Sequence, residues 1–223
     1  MIDLRSDVMQ LPQVTASINN CPCDNTLQPA KKRNLNHIQL FYGAVFKIRG
    51  LLMVPAIVAM FFLTQGEWQD AVSAWLVGLP IFLLGAVLRV WSQRHLKYRL
   101  RQKTTLITSG PYAWVRNPVY VGNMLILAGL SAMCKLIWLA PFIVVWAAVV
   151  YSLAIRFEEL RLTRRHLEVY TAYCQRVHRW WPYKSASDGD DGNALVSWIQ
   201  SMAVEWQCLL LLAIPSVKAM IIQ

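Results

Sequence analysis

Three short polar stretches in an otherwise apolar chain carry residues able to do chemistry: Ser109-Gly110-Pro111-Tyr112, Arg116-Asn117-Pro118-Val119-Tyr120, and Glu158-Glu159 with Arg156, Arg161, Arg164 and Arg165 around it. Proline is favoured at the first helical position and asparagine just before it, so Asn117-Pro118 predicts an N-cap and a helix start. The free N–H groups and positive dipole end of such a terminus can hold an anionic ligand group, although taken alone the pair need do no more than start a helix. Tyr112 follows a rigid turn and at a membrane surface reads first as an interfacial anchor, second as a ligand contact. Adjacent acids at the end of a long apolar run oppose the helix dipole and lie close to lipid, a costly place for charge. That cost invites a functional reason for the pair, against the equally weighted alternative of a salt-bridged helix face made with the nearby arginines. Arg116 and Arg156, each beside one motif, are candidates to hold an anionic substrate through bidentate contacts. No metal or triad spacing links His37, His95, His166 and His178. The five cysteines are an odd, scattered set, with Cys21-Pro22-Cys23 a weak signal for metal or lipid.

The elements that must position these stretches are membrane helices. At 223 residues and 56% hydrophobic content the chain is too apolar for an ordinary soluble domain. Its net charge of +10 does not indicate nucleic acid, because the basic residues fall in the gaps between apolar tracts. Four spans are expected: Ile48 to Thr64 with Pro55 inside it, Ala71 to Val90, Val119 to Met133, and Leu136 to Ile155, the last two parted at Ser131 to Lys135. Gly78, Pro80 and Gly85 in the second are of the kind that allow close helix packing. With four spans, every lysine and arginine except Lys135 and Lys218 lies on one side, which the positive-inside rule makes cytoplasmic. The expected fold is therefore an all-α polytopic membrane helix bundle with its site at the cytoplasmic face. Residues 1–46 read as a polar, loosely ordered tail, 47–183 as the core, 184–193 as a linker, and 194–223 as an apolar C-terminal helix. Glu205 within that helix makes an interfacial position the better reading and a fifth span the other.

Taken together, the motifs resemble those of the isoprenylcysteine carboxyl methyltransferase and phospholipid methyltransferase superfamily of integral membrane enzymes. Leu106 to Gly122 (LITSGPYAWVRNPVYVG) is similar to that family's GPYxxxRHPxYxG. Glu158 to Leu162 and Tyr170 to Pro182 (EELRL and YTAYCQRVHRWWP) are similar to its EExxL, YxxY and terminal VxRxxP, and Arg89 and Trp91 match residues that close the preceding span. The resemblance implies methyl transfer from S-adenosyl-L-methionine, with the cofactor enclosed by Thr104, Thr105, Leu106, Ile107, Tyr112, Asn117, Pro118, Val119, Tyr120 and Glu158. Three positions depart from the pattern: Asn117 stands for histidine and cannot titrate near neutral pH, His166-Leu167 stands for Phe-Gly, and Ala154 stands for a substrate-linked arginine.

The implied reaction needs mainly alignment and exclusion of water, which can supply up to about 7–11 kcal/mol of the barrier. Expected partners are the lipid bilayer and a lipophilic methyl acceptor, isoprenylcysteine-type or another small lipid-like group, with no nucleic acid; oligomeric state leaves no trace in the sequence. Two rivals stand beside this reading: an NADPH-dependent membrane sterol or enone reductase, which would carry an acid where this chain has Asn123, and a non-catalytic membrane scaffold.

Overall fold

The computed structural model describes residues 32–63, 70–100, 106–165, 167–182 and 210–221, and among these every regular element is helical. In chain order they are α1 (Lys32–Ile48), a short 3₁₀ turn (Leu51–Met53), α2 (Val54–Phe62), α3 (Ala71–Leu100), a second 3₁₀ turn (Gly110–Ala113), α4 (Pro118–Met133), a third (Ile137–Leu139), α5 (Ala140–Arg165), α6 (Leu167–Arg176) and α7 (Ala213–Ile221).

Part of the expected tail is helix. Residues 32–46 belong to α1, because Val45 is buried and Phe46 stacks on Phe157 with ring centroids 5.4 Å apart. Gly43 lets α1 approach α5: a Cβ there would stand 3.2 Å from the Phe157 ring. The expected first span is also not one rod. The chain bends by 64° between Leu40–Ile48 and Leu51–Phe62, and Pro55 sits in the first turn of the new helix, where its missing N–H costs nothing.

By length and composition, Ala71–Leu96 and Ile137–Thr163 can each cross a membrane, and the bent pair makes a third crossing if it counts as one span. The apolar helix α4, expected as a full span, has 16 residues and is about 24 Å long, short of a hydrocarbon core of about 30 Å. Both long helices outrun their expected ends: α3 carries Arg89 and Arg94 on to Leu100, and α5 carries Glu158 and Glu159 on to Arg165.

The tightest packing joins α3 to α4. A Cβ on Gly78 would lie 2.7 Å from the Gly129 carbonyl oxygen, and one on Gly85 would lie 2.7 Å from that of Gly122. Both partners are spaced seven residues apart along their own helices, so two antiparallel helices meet backbone to backbone at two successive levels. Phe82, Leu130, Met60 and Ile155 fill the fully buried core around this seam. Gly129→Val is expected to force the helices apart, because the new side chain would start 2.5 Å from the Phe82 backbone nitrogen. In detergent the variant should lose several degrees of thermal midpoint, or fail to yield folded protein, and a midpoint equal to the parent's would remove the seam from the account.

The far end of α4 closes in a Schellman motif. Lys135 takes φ +64°, its N–H donates to the Ala132 carbonyl at 2.9 Å, and the Leu136 N–H donates to the Ser131 carbonyl at 3.0 Å. A left-handed lysine is strained by about 1–2 kcal/mol, so Lys135→Gly should stabilise the protein slightly, by about 0.5–1 kcal/mol after the added chain entropy, in chemical denaturation. The C-terminal helix reaches the same end. Lys218 is 5% exposed and donates to the Leu63 carbonyl at 2.7 Å and the Cys134 carbonyl at 3.1 Å, a cation on the negative ends of α2 and α4. Residues 184–209, which hold the expected linker and Glu205, lie outside the described residues.

Candidate cofactor and acceptor site

At the opposite end of α4 the geometry of a turn comes first. Gly110 takes φ +62°, and a Cβ there would collide with the His95 imidazole on α3, so the turn is both left-handed and pressed against a side chain. The 3₁₀ turn that follows delivers Tyr112 inward, where the Tyr173 hydroxyl donates to the Tyr112 carbonyl at 2.7 Å. Burial, and secondarily the charge of Glu158, hold the Tyr112 phenol well above its ordinary range, so it stays a neutral hydroxyl at physiological pH. Burial does the same for Tyr170 and Tyr173 on α6.

Next comes the start of α4. Asn117 stands at the N-cap position, but its side chain does not cap: Nδ2 donates to the Arg179 carbonyl at 3.4 Å. Its own carbonyl takes the N–H groups of Tyr120 (3.1 Å) and Val121 (3.3 Å). Asn117 is the N-cap as expected, but through its backbone carbonyl and not its side chain. Asn117 has φ −128° and ψ 57°, and its amide is drawn instead to the strand of chain after α6. That segment is clamped once more, since the Arg116 N–H donates to the His178 carbonyl at 2.9 Å.

The two adjacent acids have different fates. Neighbours on a helix point about 100° apart, so Glu158 and Glu159 face different surroundings. Glu159 is 7% exposed and receives Arg179 through two bonds (3.0 and 2.5 Å) and Arg116 Nη1 at 3.3 Å. Arg116 Nη1 also donates to Cys174 Sγ at 2.9 Å. Glu158 faces the other way and accepts the Tyr120 hydroxyl on Oε1 at 3.1 Å. Glu159 is thus ion-paired, though to Arg116 and Arg179 from other elements and not to the nearby arginines of its own helix face, while Glu158 is left to a cavity.

That cavity, about 1520 Å³ and partly open, is lined by α3, the Tyr112 turn, the first turns of α4, the end of α5, α6 and the α1–α2 bend. It exceeds the roughly 300–1,000 Å³ of a pocket for one drug-sized ligand, so it has room for two. Leu106, Ile107, Tyr112, Asn117, Pro118, Val119, Tyr120 and Glu158 all line it, as does Arg116. Thr104 and Thr105 lie outside the described residues. Arg156 is exposed and does not line the cavity, which corrects its expected substrate contact: two residues before Glu158, it points about 200° away around the helix. Arg116 lines the wall with its guanidinium engaged on Glu159 rather than directed to a substrate.

Several lining residues were not among the expected site residues. Arg49 stands at the α1–α2 bend, with Nη1 donating to the Phe46 carbonyl at 2.6 Å and its guanidinium 4.0 Å over the Phe46 ring. Arg89 on α3 donates to Asn123 Oδ1 on α4. Tyr151 stacks on Tyr120 with ring centroids 4.9 Å apart. The Gly50 bend was the one signal for Arg49; Arg89 and Asn123 depend on which faces of α3 and α4 meet.

Residues 73–168 match the family model described as phospholipid methyltransferase, a stretch that runs from the start of α3 through the Tyr112 turn and both acids. Over this segment the chain is similar to that family. The phospholipid methyltransferase match takes in the α3–α4 seam, the cavity's inner wall and Glu158 together, and it supports the membrane methyltransferase superfamily that the motifs resemble. Among curated relatives, the nickel-cobalt-cadmium resistance protein NccN of Alcaligenes xylosoxydans xylosoxydans is 33% identical over 138 residues, covering 60% of this chain and 63% of the relative. The cobalt-zinc-cadmium resistance protein CzcN of Cupriavidus metallidurans is 29% identical over 142 residues, covering 62% of this chain and 64% of the relative. The matched stretches span less than two thirds of either relative's own length. No solved structure matches the chain. Among the described residues, no three His, Cys, Asp or Glu side chains come together to hold a metal ion.

Proposed function

We propose that this chain transfers a methyl group from S-adenosyl-L-methionine to a lipophilic acceptor, at the cytoplasmic face of a membrane that it crosses several times. The observation that carries this reading is the convergence on one cavity of Tyr112, Asn117 to Tyr120 and Glu158, residues drawn from two motifs about forty positions apart. The donor set fits the cofactor. Glu158 keeps Oε2 free of hydrogen bonds among the described residues and can accept from an ammonium or ribose hydroxyls. Val119, whose N–H precedes the first bonds of α4, lines the cavity where a carboxylate suits a helix N-terminus.

The sulfonium methyl supplies the electrophile when the cofactor is bound. What the chain's residues do is orient and dry. Tyr120 fixes Glu158 from the side, Tyr112 and Tyr173 close the wall as neutral hydroxyls, and Met53, Ile57, Ile126 and Leu127 provide an apolar compartment for the acceptor. A carboxylate or thiolate acceptor needs no further base, which agrees with the absence of a titrating side chain at Asn117. The relatives' names favour a setting of nickel, cobalt, zinc or cadmium resistance, in which the chain would act by methylating a membrane component rather than by binding the ions.

Titration of the purified protein with S-adenosyl-L-methionine and with NADPH tests the reading. Saturable binding of the first and none of the second is expected, followed by transfer of labelled methyl into a lipid extract. Binding of NADPH alone would favour the reductase, and binding of neither would favour a scaffold.

A further inference from the structure

The cavity's lining is layered along the bundle axis. On α4, Tyr120, Asn123 and then Ile126 and Leu127 face it at three- and four-residue spacing, so each step goes about 4.5–6 Å deeper. The first layer, nearest the start of α4, holds the Tyr120 hydroxyl and the Glu158 carboxylate that accepts it.

A cation reaches this layer from outside the segment that matches the family model. Arg49 lies at the α1–α2 bend, ahead of residues 73–168, and lines the cavity. Two ring contacts carry it to the level of Glu158: its guanidinium lies 4.0 Å over the Phe46 ring, and that ring stacks on Phe157, the chain neighbour of Glu158. Arg49 acts on the Glu158 carboxylate more strongly than Arg161 does, and it acts on the Tyr120 hydroxyl as well. Even so, among the described residues the guanidinium and the carboxylate form no ion pair with each other. Each is tied on its own side, Arg49 Nη1 donating to the Phe46 carbonyl at 2.6 Å and Glu158 Oε1 accepting the Tyr120 hydroxyl at 3.1 Å.

Opposite charges removed from bulk water attract strongly, so a pair pinned short of contact forgoes an interaction that a bridging ligand recovers. A simple cation between them would satisfy Glu158 and be repelled by Arg49, and a simple anion would do the reverse. A zwitterion satisfies both, and the cofactor carries one, with its ammonium and carboxylate on a single carbon.

We propose that Arg49 and Glu158 form a clamp for the α-amino acid end of S-adenosyl-L-methionine, Glu158 taking the ammonium and Arg49 the carboxylate. This deepens the methyltransferase reading and rests on it. A guanidinium presents paired donors to a carboxylate, and the Phe46 ring and carbonyl fix the plane of that fork. Val119 lines the same cavity, so Arg49 adds a full charge to the helix end that already suits this carboxylate.

The test compares two ligands of the purified full chain in neutral detergent: S-adenosyl-L-methionine and its decarboxylated analogue, which keeps the nucleoside, the sulfonium and the amine. The parent should prefer the carboxylate-bearing ligand by about tenfold or more. Arg49→Gln should remove most of that preference by weakening S-adenosyl-L-methionine alone, with the analogue bound as before or more tightly because a repelling cation is gone. Arg49→Lys keeps the charge without the fork, and its preference should fall several-fold below the parent's. Glu158→Gln should weaken both ligands and keep their ratio near the parent's, since both carry the ammonium. The ratio separates recognition from damage, because a disturbed bend would weaken both ligands alike. Equal binding of the two by the parent, a parent-like ratio in either folded Arg49 variant, or an equal loss of both ligands overturns the clamp. O-phosphoethanolamine, a zwitterion of the kind a lipid head carries, should not displace S-adenosyl-L-methionine; competition that depends on Arg49 assigns the pair to a lipid head and also overturns the clamp. Binding of neither ligand by the parent is a separate outcome, which removes the methyltransferase reading and the clamp with it.

Discussion

Glu159→Ala is expected to unfold the end of the candidate site that Arg116 and Arg179 close, at a cost of about 3–5 kcal/mol. Glu159 has 9% of its side chain exposed, and it neutralises Arg116, with 8% exposed, and Arg179, with 20% exposed. Removing the carboxylate leaves two guanidinium groups facing each other with nothing between them. The three residues come from the motif before α4, the end of α5 and the chain after α6, so the ion triad joins the elements that hold Asn117 in place. Because the loss comes from stranded charge and not from the intrinsic worth of the pair, Arg179→Met combined with Glu159→Gln should recover part of it. Denaturant unfolding in detergent gives both numbers. An unfolding midpoint in Glu159→Ala within error of the parent's would show that solvent or lipid headgroups screen the arginines, and would demote the triad to an exposed ion pair.

How much of this was legible in the sequence differs from residue to residue. The start of α4 was, because Pro118 can begin a helix and cannot continue one, and that constraint is local. Gly78 and Gly85 were legible as small residues for close packing, although their partners Gly122 and Gly129 emerge only when α3 and α4 are set antiparallel. The division of labour between Glu158 and Glu159 was not. Two adjacent acids must diverge on a helix, but which one meets Arg179 depends on where the chain after α6 returns. Arg156 looked like a site residue by sequence distance alone, whereas angular position on α5 turns it outward. Lys218 read as an ordinary basic residue near a terminus; its burial follows from two helix C-termini, Leu63 and Cys134, ending at one place. The helix at 32–48 was hidden by a polar lead-in, and its cause is the contact of Val45 and Phe46 with the bundle.

Glu158→Gln is expected to weaken S-adenosyl-L-methionine binding by about 10- to 150-fold while leaving the fold intact. Glutamine keeps the length of the side chain and an amide oxygen that can still take the Tyr120 hydroxyl, so the bond that orients the group survives. What it loses is the negative charge, and hydrogen bonds to charged groups contribute about 1.5–3 kcal/mol, with each 1.4 kcal/mol worth a factor of ten. Tyr120→Phe provides the complementary measurement. It keeps the charge but frees the carboxylate to swing, so its loss should be smaller, and smaller again in combination with Glu158→Gln, since each removes part of the same interaction. Calorimetric titration yields the affinities, and thermal midpoints taken alongside separate a binding defect from an unfolded site. The contrast with Glu159 is the sharper part of the test: neighbouring carboxylates should fail differently, one in ligand affinity at normal stability and the other in stability itself. Unchanged cofactor affinity in Glu158→Gln would take Glu158 out of the cofactor site and leave the cavity's first layer without its charge.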